Sequence, residues 1–331
     1  MFRRMNLPES ATAFLESQAR RVRQIKRKRI VFPEGGDPRI IDAAARLAQE
    51  ELATPILIGK RPQSVPPGVE FVEPCDKYAA LYHERRRAKG VSPVEAAQVS
   101  RRPLYFACLM VGAGDADGFV GGATNSTGDT VRAALHAIGS LPKVRTVSTF
   151  MILCVRNRSY GHEGLLAIAD PAMVIEPTSL ELAEITLATA ASVRALLGIE
   201  PIVAMLSFST KGSAKHKEVD RILEAYRIVQ AREPGLHVDA ELQADAALVP
   251  AVGASKAPGS TVAGRANTLI FPNISAANIG YKLVERLGDA AALGPFLQGL
   301  AKPANDLSRG CSANDVYGVA LVTALQAEAA R

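Results

Sequence analysis

Three short stretches carry the residue types that hold anions. Asn125 to Arg132 supplies the hydroxyls of Ser126 and Thr127 and the guanidinium of Arg132. Ser207 to Ser213 contains Lys211, and Asn305 to Ser312 contains Ser308, Arg309 and Gly310. Small polar residues and glycines at the start of a helix leave backbone amides unpaired, and the helix dipole there favours negative charge. Asp315 follows the third stretch within one turn and is a carboxylate positioned to act as a base. The same stretches have a purely structural reading, because Ser and Thr before helices serve as caps. Ser312 with Asp315 three residues on has the spacing of an N-terminal capping box, so Asp315 stands between base and cap.

Other chemistries find little support. No segment has the G-x-x-x-x-G-K-[ST] spacing, and Gly112-Ala113-Gly114 lacks the third glycine of a dinucleotide fingerprint. No His pair has i, i+4 metal spacing, and no Ser lies in a G-x-S-x-G elbow. Cys75, Cys108, Cys154 and Cys311 are scattered without ligand spacing, and Cys154 in an apolar run reads as inert core. Anion sites plus a carboxylate, without a metal or an evident nucleophile, suit transfer between two bound substrates, one of which brings the nucleophile.

The elements that must position these groups alternate between short apolar runs and longer amphipathic segments. Arg29 to Pro33, Pro55 to Gly59, Val69 to Val72, Ala116 to Gly121, Val147 to Val155, Leu165 to Ala169, Pro201 to Leu206 and Asn267 to Phe271 read as strands. Helical spacing occupies Leu15 to Lys28, Arg39 to Leu52, Tyr78 to Lys89, Asp220 to Arg232, Ala276 to Leu287 and Asn314 to Ala329. Ser92-Pro93-Val94-Glu95 and Thr178-Ser179-Leu180-Glu181 are capping boxes, the second opening a helix to about Leu197. Strand, polar loop and helix in repetition predict an α/β fold with mostly parallel sheets, whose ligands collect at the carboxyl ends of strands.

A chain of 331 residues predicts roughly two domains. There are 39 basic and 33 acidic residues, but seven of the basic ones fall in residues 20–29, so the remainder is close to neutral. That run has no interleaved aromatics and reads as a solvated helix face, so no nucleic-acid partner is expected. No apolar run approaches the roughly 18 residues of a membrane helix, and no secretory leader is visible. A reducing cytoplasm is the expected compartment.

The stretches KAPGSTVAGRANTLIFPNISAANIGYKLVERL and LGPFLQGLAKPANDLSRGCSANDV resemble the phosphate acetyl/butyryltransferase family, as do VFPEGGDPRI, RRRAKG, ADGFVGG, NSTGDTVR and LSFSTKGS upstream. The resemblance implies the reaction acetyl-CoA + phosphate ⇌ acetyl phosphate + CoA, with a butyryl-transferring enzyme or a non-catalytic acyl-CoA-sensing module as alternatives. It implies two three-layer α/β domains with an interdomain cleft, like isocitrate and isopropylmalate dehydrogenases. Residues 1–145 with 297–331 would form the first domain, into which the final helix returns, and 146–296 the second. Catalytic roles are implied for Ser308, Arg309 and Asp315, and roles in CoA binding and activity for Arg86 and Arg132, with Ser126 and Thr127 facing them. CoA would enter as a substrate, no cofactor or metal would be tightly bound, and two copies would form a homodimer.

Overall fold

Lys28 opens the first strand and is completely buried, although it belongs to the basic run. Its ammonium pairs with Glu328 near the end of the last helix. The expected helix over Leu15 to Lys28 therefore lies earlier, at Glu9–Val22 (α1). Its buried stripe is Ala11, Phe14, Gln18, Ala19 and Val22, which has helical spacing and runs out at Val22. The basic run is thus divided among the end of α1, a connecting turn and a strand, and is not one helix face.

The computed structural model describes residues 7–62, 64–142 and 144–329. They fall into two compact units: one comprises Leu15–Val144 and the chain from Gly299 on, the other the residues through Phe14 and Arg145–Gln298. After α1 the first unit runs β1 (Lys28–Phe32), α2 (Pro38–Gln49), β2 (Ala53–Ile58), β3 (Glu70–Val72), α3 (Ala79–Arg86), α4 (Pro93–Ser100), α5 (Pro103–Ala113), β4 (Gly118–Gly121) and α6 (Thr127–Ala137). The second runs β5 (Ser148–Cys154), β6 (Leu165–Ala169), α7 (Ser179–Leu197), β7 (Ile202–Leu206), α8 (Lys217–Arg232), β8 (His237–Leu242), α9 (Ala244–Leu248), α10 (Pro250–Lys256), β9 (Thr268–Ile270), α11 (Ile274–Leu287) and β10 (Ala291–Gln298). The chain then returns to the first unit as β11 (Ala304–Asp306) and α12 (Ala313–Ala329).

In the first unit the strands lie in the order β3-β2-β1-β4-β11. Every pairing is parallel, so all five carboxyl ends share one edge. Nearly every residue of α12 from Val316 to Leu325 is buried, and the helix packs on α2, β1 and β4. The segment Leu104 to Val111 of α5 is also buried except at Tyr105, and α5 crosses β1, β2 and β4. A helix apolar all round carries no 3.6-residue signal, which is why α5 has no counterpart in the periodicity.

The second unit orders its strands β10-β5-β6-β9-β7-β8. The four from β6 to β8 are parallel, but β5 is antiparallel to both β10 and β6. Its core gathers Met151, Ile168, Leu206, Leu242 and Leu269. The reading over Leu165 to Ala169 coincides with β6, and the Thr178 box opens α7 as expected: Thr178 Oγ1 accepts from Glu181 N, and Glu181 Oε2 accepts from Thr178 N at 2.8 Å. Thr178→Ala removes this cap and should lower unfolding stability by about 1 kcal/mol in urea titration. An unchanged midpoint would show that α7 is held by packing alone.

Candidate active site

The carboxyl edge of the first unit presents three loops: residues 33–37 after β1, residues 122–126 after β4, and residues 307–312 after β11. Buried charge at the ends of β1 and β11 reaches across to tie them together. Glu34 follows β1, and its Oε1 accepts from Gly122 N at 2.9 Å, Thr124 N at 3.3 Å and Asn125 Nδ2 at 2.8 Å. Two backbone amides and a side-chain amide on this one oxygen fix the β4–α6 loop on the end of β1. Asp306 ends β11 and accepts from Thr127 Oγ1 at 2.6 Å, so the first turn of α6 is held on β11. Leu307 N donates to Gly121 O at 2.7 Å and continues the β11–β4 ladder into the loop.

Gly122 sits between the two carboxyls. It adopts φ 111°, and a Cβ there would stand 2.2 Å from Asp306 Oδ1, so only glycine fits. Glu34 Oε2 and Asp306 Oδ1 are buried without a hydrogen-bond partner among the described residues. Burial pushes the Asp306 carboxyl up to about 6, against the hydrogen bonds of Thr127 and Thr130, and the charge of Glu34 adds to the rise.

Arg39, in the first turn of α2, joins all three loops. Its Nε and Nη2 grip the Asp37 carboxylate at 3.0 and 2.7 Å. Nη1 donates to the carbonyls of Arg309 at 2.8 Å and Cys311 at 3.0 Å, and Nη2 also reaches Ala123 O at 3.0 Å. The hydrogen bond from Arg39 holds Asp37 below the usual carboxylate range.

The sequence-derived residues fall into two groups. Ser126 is the N-cap of α6, accepting from Asp129 N and donating to Asp129 Oδ2 at 2.7 Å. Thr127 is engaged with Asp306, and Arg132 pairs with Asp129 at 2.8 Å. Ser308 and Arg309 are exposed on the loop after β11, and Ser308 Oγ accepts from Gly310 N at 3.2 Å. The Arg309 guanidinium makes no ion pair among the described residues, which leaves its planar fork open to an anion. Asp315 Oδ2 accepts from Ser312 N at 2.7 Å and Ser312 Oγ at 2.8 Å, so the capping box is formed. Its Oδ1 takes no hydrogen bond among the described residues.

A cavity of about 840 Å³ opens beside these loops. Its wall includes Glu34, Asp37, Arg102, Tyr105, Asn125 and Arg132, but not Ser308, Arg309 or Asp315. Arg86 lies off this wall, with Nε buried and without a hydrogen-bond partner among the described residues. It stands close enough to His136 that, with Arg132, it adds to the lowering of the ring pKa that burial causes. Arg86, Arg102 and Arg132 thus surround the Tyr82–Tyr105 pair, whose ring centroids are 5.6 Å apart. Such a basic and aromatic wall suits a phosphate-bearing, partly apolar ligand.

The loop after β7 is different. Lys211 is tied to Asp239 at 2.5 Å, and Glu241 takes Ser209 Oγ at 2.7 Å and Gly212 N at 2.8 Å, so its polar groups satisfy one another. Burial pushes the thiols of Cys154 and Cys311 up to about 12 and 11, which keeps both protonated near neutral pH. Glu34, Arg39, Arg102 and Asp306 were not singled out from the sequence. An Asp-Pro-Arg helix start and charges abutting strand ends are the signals that could have marked the first two and the last.

An α/β unit that aims hydroxyls and the open Arg309 guanidinium from the carboxyl ends of parallel strands belongs to the class that binds phosphate-bearing substrates. The likeness to a 4-hydroxythreonine-4-phosphate dehydrogenase from Klebsiella pneumoniae (TM-score 0.51, 10% identity, covering 91% of this chain and 98% of that one) shows a shared fold alone. Residues 13–324 match the Phosphate acetyl/butaryl transferase family, to which the chain belongs. It is 43% identical over 313 residues to the phosphate acetyltransferase of Acetivibrio thermocellus, covering 91% of this chain and 94% of that one. A phosphotransacetylase from Streptococcus pyogenes superposes with a TM-score of 0.89 at 41% identity, covering 96% and 99% of the two chains.

The raised Asp306 fixes a sign for pH dependence. Its contribution to stability is complete below the unfolded carboxyl value and is lost as pH rises through about 6. Asp306→Asn cannot ionise and should gain on the parent by on the order of 3 kcal/mol between about pH 4 and pH 7. Urea titrations of both proteins across that range measure the gap; a constant gap would place the Asp306 pKa near its ordinary value.

Proposed function

We propose that the protein is a phosphate acetyltransferase, interconverting acetyl-CoA and phosphate with acetyl phosphate and CoA. The observation that carries this reading is the open Arg309 guanidinium beside Ser308, on a loop stitched to the hydroxyl-bearing start of α6, in a chain of this family. A CoA thiol has a pKa of about 8.5, so little of it is thiolate at neutral pH. Asp315 Oδ1 takes the thiol proton, and the sulfur then adds to the carbonyl carbon of acetyl phosphate. The C–S bond forms, the carbon–oxygen bond to phosphate breaks, and phosphate leaves against Arg309 and Ser308. Arg86 and Arg132 receive the phosphates of CoA, and Ser126 and Thr127 form the facing wall. Both substrates are held at once, so orientation supplies much of the rate and no acyl-enzyme intervenes.

CoA is a substrate, and the reading invokes no resident cofactor or metal. The four free cysteines are compatible with a reducing cytoplasm, the compartment proposed here. No described helix is long and apolar enough to cross a membrane.

Thioester formation from CoA and acetyl phosphate, followed by ultraviolet absorbance, tests the reading. The parent protein should turn over, while Arg309→Ala should lose roughly 10²-fold or more with its fold retained. Asp315→Asn should lose within the roughly 10²- to 10⁴-fold range of a general base, and the defect should shrink as pH approaches the thiol pKa near 8.5. If Asp315→Asn keeps full turnover at neutral pH and loses only stability, Asp315 is a cap and not the base.

We also infer a homodimer. On α11, Ile279, Leu283 and Leu287 are 59%, 53% and 82% exposed and fall at helical spacing on one face, with Val284 beside them. A contiguous apolar face of this kind gains by burial against its own copy. Light scattering should give twice the chain mass for the parent, and the chain mass for Leu283→Glu combined with Leu287→Glu. An unchanged mass in the double variant would move the interface elsewhere.

A further inference from the structure

We propose that Arg39 is a positioning residue for the Ser308–Arg309 loop, holding the phosphate-binding groups in place without touching substrate. This rests on the acetyl-transfer reading of the site. The loop needs an anchor, because Ser308, Arg309 and Gly310 are all exposed and Gly310 has the freest backbone of any residue type. Its internal supports are the bond from Gly310 N to Ser308 Oγ and a turn bond from Cys311 N to Ser308 O at 2.9 Å. Beyond Leu307, which still bonds to β4, Arg39 supplies the external ones. It takes the carbonyls of Arg309 and Cys311 on a single nitrogen, so the peptide entering Gly310 and the peptide leaving Cys311 are both fixed, and the glycine lies between them.

The guanidinium has five N–H donors in a rigid plane, and here five acceptor contacts are made: two Asp37 oxygens and the carbonyls of Ala123, Arg309 and Cys311. No donor remains for a ligand. The Asp37 carboxylate fixes the plane of the fork, and its side chain is only 10% exposed, against 30% for Arg39. Because Asp37 is also the N-cap of α2, the assembly is referenced to a helix end and not to another loop. A lysine has three donors on a flexible stem and cannot reproduce this plane, so charge alone does not replace it.

The test compares the parent with Arg39→Lys and Asp37→Asn by two readouts. Amide hydrogen exchange of residues 307–312 does not depend on activity, and in Arg39→Lys it should speed by roughly tenfold or more while the exchange of β1 and β4 is unchanged. In the thioester assay kcat should fall roughly 10- to 100-fold, with KM for CoA nearly unchanged, as expected when reacting groups are misplaced but binding survives. Asp37→Asn, which keeps Arg39 but loosens its plane, should fall between the two. Unchanged exchange in Arg39→Lys would overturn the proposal whatever the activity. Faster exchange with parental kcat would also overturn it, because the loop would then be free without consequence. If the parent itself forms no thioester, the acetyl-transfer reading fails, while exchange still decides whether Arg39 holds the loop.

Discussion

The site depends on a three-residue strand. Ala304, Asn305 and Asp306 lie parallel to Phe119, Val120 and Gly121, and this pairing carries the chain back into the first unit after the whole of the second has been made. Because the pairing is parallel, β11 must deliver its carboxyl end beside that of β4. The loop with Ser308 and Arg309 then emerges next to the one with Ser126 and Thr127. A one-residue slip would turn Asp306 away from Thr127 and reverse every side chain of the strand. Asn305, completely buried, helps set this register through Thr323 at 2.8 Å.

Around that strand the protein uses buried charge as mortar. Glu34, Asp306 and the Arg39–Asp37 pair each bridge between loops, and most of their partners are backbone amides or carbonyls. Loops without secondary structure must find partners for these groups, and a charged side chain can satisfy several at once. The arrangement spends polar contacts inside the scaffold, while Arg309, on the outside, makes no ion pair among the described residues. In the loop after β7, by contrast, Lys211 is taken by Asp239 and Glu241 by Ser209 and Gly212, and that contrast separates a structural lock from a candidate site.

Sequence reading succeeded where local rules decide the outcome. The Ser92 and Thr178 boxes form as spaced, β6 occupies the expected five residues, and the Ser312–Asp315 box is present. It failed where partners lie far along the chain. Ala304-Asn305-Asp306 is neither apolar nor β-branched, so nothing local marks it as a strand; its conformation comes from β4. The strand β10 is interrupted by Gly294-Pro295, a break signal by any local rule, yet it pairs along β5 on both sides of the interruption. Lys28 reads as one more surface cation until Glu328, three hundred residues on, closes over it. The anion loops were legible as loops, but Arg39 became visible as their anchor only through contacts with residues about 84 to 272 positions away.

The discontinuous first unit imposes an order on biosynthesis. Most of the second unit is one uninterrupted span, Arg145–Gln298, and can mature while the ribosome is still translating. The first unit must wait with the flank of β4 bare until β11, which follows the whole second unit in the chain, has left the exit tunnel. The Ser308–Arg309 loop therefore reaches its place only after the second unit has been made, and a nascent chain stalled short of β11 leaves the β4 edge open.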